Sequence, residues 1–512
     1  MANTYTKSEQ QPLAQSKLPS AFNESAPANE KDVIDAWPDT VLSQTWGEVV
    51  KQDQQFTQVG SQIYTSGGTT INNQSFTTQV TGGGAKTATF VVGPSSNDDS
   101  DSYDYVTDGT NDDVQIQAAI DALPATGGMV LLREGTYTIN YTGAAEISST
   151  TNGVHLMGMG RGTVLKFENG INDGAQMVVL SGSYCKVSNI FFDFNLSNAN
   201  VALADPVGAL YIGYGGDVSG CYFSDGAGYF IAAEDSTHIH NNIFFNFDGT
   251  FYDYAITPVS TSRIYVSNNI FAPTATTYFV CVGNDTSSEI HVVNNFFDAP
   301  ASSEAMFAAN CDQVIANKVS TGGSYSAGTC INGCTVVSDN LLYLDCLTTL
   351  PSYAIYGSDL VANNVIFMGT SDIDFVAVGG SQVVSGNFID GCGTGIEDVS
   401  DVCSGNFITS FAANGISISG DRVVCSNNKI GPPAPATDNL YSGILLATNI
   451  DHCVITNNLI KGDTAGNDLK YCISEATGCD YNIIEHNVAT GADTAQISIV
   501  GANTISANNI TA

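Results

Sequence analysis

The sequence predicts an all-β protein: a parallel β-helix, one strand-and-turn coil stacked on the next, behind a capping α-helix and a separate small N-terminal module. Three observations carry that prediction. The first is a phrase that recurs, Ile239-His240-Asn241-Asn242-Ile243-Phe244, then Val266-Ser267-Asn268-Asn269-Ile270-Phe271, then Val292-Val293-Asn294-Asn295-Phe296-Phe297. Its closing Asn returns at 242, 269, 295, 317, 340, 364, 387, 406, 428, 458 and 487, at intervals of 19 to 30 residues. Three positions before each stands Ile239, Val266, Val292, Val314, Val337, Val361, Val384, Cys403, Cys425, Ile455 or Ile484, always aliphatic or Cys. A period of this size marks a repeat architecture. The second observation is what one period holds: short apolar-polar alternations split by Gly, Asn, Ser and Asp, with no sustained helical periodicity. That content makes two or three short strands per coil. The third is the single inward stripe each coil buries, which fits coils stacked at about 4.8 Å. Asn suits the corner because it tolerates the left-handed backbone of a sharp turn and because its amide can bond to the same amide one coil away.

Length and composition bound the function. A solenoid lets 512 residues grow as one domain without a larger globular core. Lys and Arg total only 15 against 51 Asp and Glu, a formal net charge of -36. Such a surface repels phosphate backbones, which argues against a nucleic-acid partner and suits solubility, cation binding or life in high salt. The 13 Cys are spread along the repeats, and Cys403 and Cys425 share one apolar register, so they read as reduced small hydrophobes stacked in the interior. Cys330 and Cys334 have no second pair at metal spacing. No apolar run reaches the length of a membrane span, and Met1 to Lys7 lacks the apolar run of a signal peptide. The expectation is a protein made and folded in a cytoplasm.

Taken in order, residues 1 to about 30 read as a polar arm. Asp32 to Gln55 holds both Trp residues, Trp37 and Trp46, and reads as an amphipathic stretch divided by Pro38. It either docks onto a partner or folds back on its own domain. Residues 56–88 alternate and suggest a small β region. The predicted divisions are 1–88 as an attachment or oligomerisation module, 89–125 as strand, acidic linker and capping helix, and 126–512 as the β-helix. In the linker, Asp98, Asp99, Asp101 and Asp104 read as solvated charge, with Ca²⁺ binding the alternative. Asp108-Gly109-Thr110-Asn111-Asp112-Asp113 is a turn with helix-capping residues, and Ile116, Ala119, Ile120 and Leu123 fall on one helical face. A helix there would cover the open end of the solenoid. Pro124 ends it, and 127–139 reads as strand, tight turn, strand.

The run from Asp108 through Ile116-Gln117-Ala118-Ala119-Ile120-Asp121-Ala122, Gly127-Gly128 and Leu131-Leu132-Arg133-Glu134-Gly135-Thr136-Tyr137 resembles the start of the pectate-lyase-like, right-handed parallel β-helix superfamily. It is most similar to the version in tail spikes and other virion proteins of tailed viruses. The resemblance is specific over 104–140 and generic for the coils beyond. It implies a right-handed β-helix, a homotrimer, attachment to other virion proteins through the N-terminal module, and binding of host cell-surface polysaccharide, assembled in a host cytoplasm without a signal peptide. A glycan-degrading hydrolase or lyase on the same scaffold and a non-catalytic structural virion component are the other readings, since the superfamily holds all of these. The lyase pattern of an Arg base with Asp-bound Ca²⁺ does not carry over, because the Arg residues are only Arg133, Arg161, Arg263 and Arg422. The polygalacturonase pattern is absent.

Candidate chemistry is therefore read from the early coils. Asp193, Asp225 and Asp248 follow the turn in three of them and are the candidate catalytic carboxylates, since a pair about 5 to 9.5 Å apart is what glycoside hydrolysis needs. Their offsets past the turn are unequal, and strict alternation would point Asp225 away from the other two. Tyr222, Tyr229, Glu234, Asp235, Tyr252, Asp253 and Tyr254 lie in the same coils as candidate glycan contacts, aromatic faces beside carboxylates. The bland reading is that Asp favours turns and Tyr favours strands. His238, His240 and His291 read as outward strand positions.

Overall fold

The computed structural model describes residues 58–59, 62–64 and 70–71 and most of 88–511. Within the latter range it leaves out 96–101, 141–144, 171–175, 196–207, 227–228, 247–253, 260–262, 274–278, 284–288, 300–304, 322–328, 346–351, 370–374, 435–440 and 463–468. The chain divides into two compact units, Met1–Gly84 and Ala85–Ala512. In the first, Gln58–Val59, Gln62–Tyr64 and Thr70–Ile71 form a three-stranded antiparallel sheet. The predicted arm and Trp-bearing stretch lie outside the described residues.

Everything in the second unit is arranged by one repeated circuit. A strand of the first sheet runs into the Asn corner, a strand of the second sheet leaves it, a loop of variable length leads to the third sheet, and a short turn starts the next coil. Each strand pairs in parallel with its counterpart one coil on, as in Val266↔Val292, Phe271↔Phe297 and Val280↔Met306. Among the described residues the first sheet has 18 strands, the second 16 and the third 15. The first is an open ladder whose ends are Tyr105–Thr107 and Ile505–Ala507. This is the right-handed parallel β-helix the sequence predicts. Among the described residues no helix is long and apolar enough to cross a membrane.

The inward stripe is as expected: every residue from Ile239 to Ile484 that stands three before a ladder Asn has no exposed surface. On the second sheet the inward position is Phe192, Phe223, Phe244, Phe271 and Phe297 in successive coils, all buried. The rings of the first four stack face to face at 4.8–4.9 Å, the coil spacing itself. From Val319 to Ala489, that position is aliphatic. The lumen narrows with it. At Gly395, Gly415 and Gly443 of the third sheet a Cβ would come within 2.5–2.8 Å of the methyl groups of Ile408, Ile430 and Ile460. The 12 described Cys are all buried free thiols, and Cys403 pairs in register with Cys425. Cys346 lies outside the described residues.

The corner divides between two residues the jobs the sequence reading assigned to one. The residue before the ladder Asn takes the left-handed backbone: Asn241, Asn268, Asn294, Asn363, Asn427 and Asn457 have φ of 56–58°, and Gly386 and Gly405 serve in their coils. The ladder Asn is buried and not left-handed. From Asn242 to Asn487, each accepting Oδ1 of the next Asn takes the backbone N–H of the one before at 2.8–3.0 Å and its Nδ2 at 2.9–3.1 Å. The same Nδ2 also donates to a first-sheet carbonyl one coil back. A buried corner would otherwise strand these backbone groups, at about 1–3 kcal/mol each. The ladder ends at Asn509, one coil beyond the regular series.

The capping helix, α1, spans Asp113–Asp121 and buries Ile116, Ala119 and Ile120 against the first coil, with Leu123 packed partly against it. Asp112 and Asp113 do not cap it through their side chains, which corrects the sequence reading. Asp112 instead accepts from Gly109 N–H at 2.8 Å and Thr138 N–H at 2.7 Å, and Asp113 from Asn140 N–H at 3.0 Å. They tie the helix to the strand Gly135–Ile139. Gln117 completes the cover: its amide donates to Ser148 C=O at 2.9 Å and accepts Ser148 N–H at 2.7 Å. A side-chain amide thus satisfies the edge of the third sheet's first strand, where an unpaired edge would invite another chain.

Candidate functional site

Along a second-sheet strand, side chains at alternate positions face out. In the early coils the outward positions are Phe191 and Asp193, Tyr222 and Ser224, Ile243 and Phe245. Phe191 and Tyr222 thus stand on the side of the Asn corner and Asp193 and Phe245 toward the variable loop, with Ser224 buried between them. Phe191 lies 6.4 Å from Tyr222 and 5.9 Å from Phe245 between ring centroids. Arg161, from the turn before the sheet's second strand, holds its guanidinium 5.8 Å from the Tyr222 ring and 5.6 Å from Phe245, a cation over two rings.

Asp193 stands beside this patch. One oxygen pairs with Lys166 Nζ at 2.9 Å, the residue in register one coil earlier, and the other accepts Asn195 N–H at 2.8 Å. Asp225 lies just past the strand's end, and here the structure corrects the alternation argument. Its backbone is left-handed, φ 56°, so the strand's in-out rule stops at Ser224. The Asp225 carboxylate instead accepts from Asn246 Nδ2 and from Ser224 Oγ. Burial raises its carboxyl above the ordinary range, and the neighbouring Asp193 charge raises it further, against the hydrogen bonds and Lys166. The two carboxylates are therefore one electrostatic cluster. One is ion-paired, and the other is disposed to carry a proton.

The other predicted residues divide. Tyr222 belongs to this face. Tyr229, Glu234 and Tyr254 belong to the third sheet and its flanking turns, a different side of the coil. Glu234 accepts from Tyr211 Oη and from Tyr214 N–H, and burial with that bond pushes the Tyr211 hydroxyl up to about 12. Tyr229 Oη accepts Gln176 Nε2 at 2.6 Å, and burial raises its hydroxyl too. Asp235 accepts Arg263 N–H at 2.9 Å in the turn back to the first sheet. Tyr254 packs on Val280, Met306 and Ala309. These four hold neighbouring coils together. Asp248, Tyr252 and Asp253 lie outside the described residues.

Four residues that sequence reasoning did not assign complete the site: Arg161, Lys166, Phe191 and Phe245. Their signal is register across coils, Lys166 beside Asp193 and Phe191 beside Tyr222, which needs the irregular early coils aligned before it can be read. His238, Tyr265 and His291 stack at 4.8–4.9 Å on the outside of the first sheet, as outward strand positions. Among the described residues no three His, Cys, Asp or Glu side chains converge as a metal site.

A scan against protein families and a search of curated proteins each found no match. Solved structures do match. The A-module of mannuronan C-5 epimerase AlgE6 from Azotobacter vinelandii is 17% identical over 80% of this chain and 98% of its own, with a TM-score of 0.34. A variant tailspike protein of E. coli bacteriophage HK620, in complex with a pentasaccharide, is 14% identical over 77% of this chain and 76% of its own, at 0.43. The Agl-KA catalytic domain is 14% identical over 84% and 69%, at 0.32. The class of this chain, a parallel β-helix, rests on its own strand pairing. The chemistry of those proteins remains theirs.

Proposed function

We propose that this chain is a polysaccharide-binding β-helix, and that it serves as a tail spike or fibre of a virion, attaching it to host cell-surface polysaccharide. The observation that carries the reading is the outer face of the second sheet in the early coils. Phe191, Tyr222 and Phe245 offer apolar ring surface, while Asp193, Asp225, Lys166 and Arg161 offer charged donors and acceptors beside it. A sugar presents both an apolar C–H face and a rim of hydroxyls, so it needs both kinds of partner in one place. The virion role rests on the resemblance over 104–140. The N-terminal module, 1–88, then attaches the spike to other virion proteins, and the assembly is a homotrimer.

A second reading is favoured by one specific feature. Asp225, with its carboxyl raised by burial and by Asp193, has the disposition of a general acid. It would give its proton to the glycosidic oxygen as the bond from that oxygen to the anomeric carbon breaks, while a water that gives its proton to the Asp193 carboxylate forms the new C–O bond there. No metal enters that scheme. The test is to incubate the full chain with an array of bacterial surface polysaccharides and follow both retention and polymer length. Retention without shortening supports attachment alone. Shortening that is lost in Asp225→Asn supports cleavage. Neither retention nor shortening, on any member, would leave a structural virion component and overturn the glycan reading.

A further inference from the structure

The aromatic character of the second sheet's outer face does not end with the early coils. Tyr343, Phe367, Phe388 and Phe407 continue it, with successive ring centroids 5.0, 5.6 and 5.2 Å apart. Tyr343 is 43% exposed, among the more open aromatic side chains described. Cations accompany the rings in a repeated arrangement. Lys318 stands in register with Phe296 one coil on, its ammonium 5.2 Å from that ring. Lys429 stands in the same relation to Phe407 at 4.6 Å.

The charge on this face is out of keeping with the chain. Carboxylates outnumber basic side chains by 51 to 15, so an exposed lysine would ordinarily find one. Lys318 and Lys429 are exposed, yet among the described residues both rest over rings and neither is ion-paired. The described strands of the second sheet hold four Lys against three Asp, whereas acids outnumber bases on the other two sheets. Asp298 and Asp390 stand with Tyr343 and Phe367 in the outward column away from the Asn corner, whereas Lys318 and Lys429 stand with Phe296, Phe388 and Phe407 in the column beside it. A cation held over a ring keeps its charge available on the outward side.

We propose that this strip, from Phe296 to Lys429, is a second glycan-contact surface separate from Asp193 and Asp225, and that it takes an anionic polysaccharide lying along the solenoid axis. Sugar rings pack on the aromatic side chains, and carboxylates of the polymer pair with Lys318 and Lys429. The strip covers six coil steps, about 29 Å at about 4.8 Å per step, which is room for several sugars in line. The proposal rests on the glycan-binding reading and adds to it the charge of the ligand and a site.

The experiment measures binding of the full chain to polysialic acid, hyaluronan and polygalacturonate, each beside its carboxyl-reduced form, and to an array of neutral bacterial polysaccharides. At least one anionic polymer is expected to bind about tenfold more tightly than its reduced form. The Lys318→Gln/Lys429→Gln double variant is expected to lose about that factor. Lys470→Gln removes a lysine that sits 5.4 Å over Tyr471 on the third sheet, and should lose nothing. Equal binding of charged and reduced forms, or full binding by the double variant, would overturn the proposal. Binding to neutral polymers alone would overturn it and leave the glycan reading standing. Binding to no polysaccharide would overturn both.

Discussion

The early coils, from Asn189 to Asn269, and the late coils, from Asn340 to Asn487, are the same circuit built two ways. In the early coils the lumen is filled by stacked Phe192, Phe223, Phe244 and Phe271, and the corner position is Ile190 and Cys221 before it becomes Asn242. In the late coils the core is Leu342, Ile366, Ile389, Ile408, Ile430 and Ile460, and every corner carries the Asn ladder. The surfaces differ with the cores. The first sheet's outer column, Asp217, His238, Tyr265 and His291 early on, becomes Val336, Leu360, Val383, Val402, Val424 and Val454. The lesson is that the interior and the outer face vary independently. Where the ladder bonds are repeated without interruption, the interior is uniform scaffold and variation is left to the outer face. Outside the irregular early corners a guanidinium, carboxylates and rings gather, and outside the regular later ones lysines lie over rings.

Four substitutions test that division, beginning with the largest effect. Phe244→Ala removes a fully buried ring between two stacked neighbours and is expected to cost about 3–5 kcal/mol. It should lower the urea midpoint and open early coils first in hydrogen exchange, because a solenoid transmits loss chiefly to adjacent repeats. Asn364→Ala strands the N–H of Asn340 and takes from its Nδ2 one of two acceptors, since both donate to Asn364 Oδ1 at 3.0 and 2.9 Å. The expected cost is about 3 kcal/mol, confined to the late coils. A smaller cost there than at Phe244, with early coils undisturbed, is the pattern that sharpens the comparison. Equal loosening of both regions would break it.

Ala316 marks the seam between the two regions. It holds the corner's left-handed backbone at φ 57°, where other coils use Asn, Asp, Gly or, before Asn487, His. Ala316→Asn should stabilise by about 1 kcal/mol, read as a higher urea midpoint. The smallest effect concerns Asp225. A carboxyl raised in the fold costs nothing while protonated, below the ordinary carboxylate range, and costs most once the pH exceeds its raised value. Stability therefore falls as pH rises through that window, and Asp225→Asn should flatten the fall. Urea midpoints for both proteins at about pH 3.5 and about pH 7 bracket the window. An unchanged slope in the variant would remove Asp225 from the account.

The scaffold was legible because it repeats. Eleven copies fix which residue faces in at each coil, so the inward stripe from Ile239 to Ile484 follows from spacing alone, as does the helical face of Ile116, Ala119 and Ile120. What one copy cannot reveal is how two adjacent Asn residues share a corner, since both suit a turn and only burial separates them. The site was legible in its region but not in its membership. Asp193, Asp225 and Tyr222 do share a face, yet Asp225 does so through a left-handed residue that no alternation rule anticipates. Glu234, Asp235, Tyr229 and Tyr254 matched the same composition but bond within and between coils on another side. Lys166 and Arg161 were missed because their roles exist only beside residues one to three coils away.

The most direct test of the central claim is hydrogen exchange on the full chain, with and without the polysaccharide it binds most tightly. Added protection is expected at the second-sheet segments and the turns that flank them, around residues 160–168, 191–195, 222–225 and 243–246, with the first and third sheets unchanged. Protection on either of those sheets instead, or none on the second, would contradict the account.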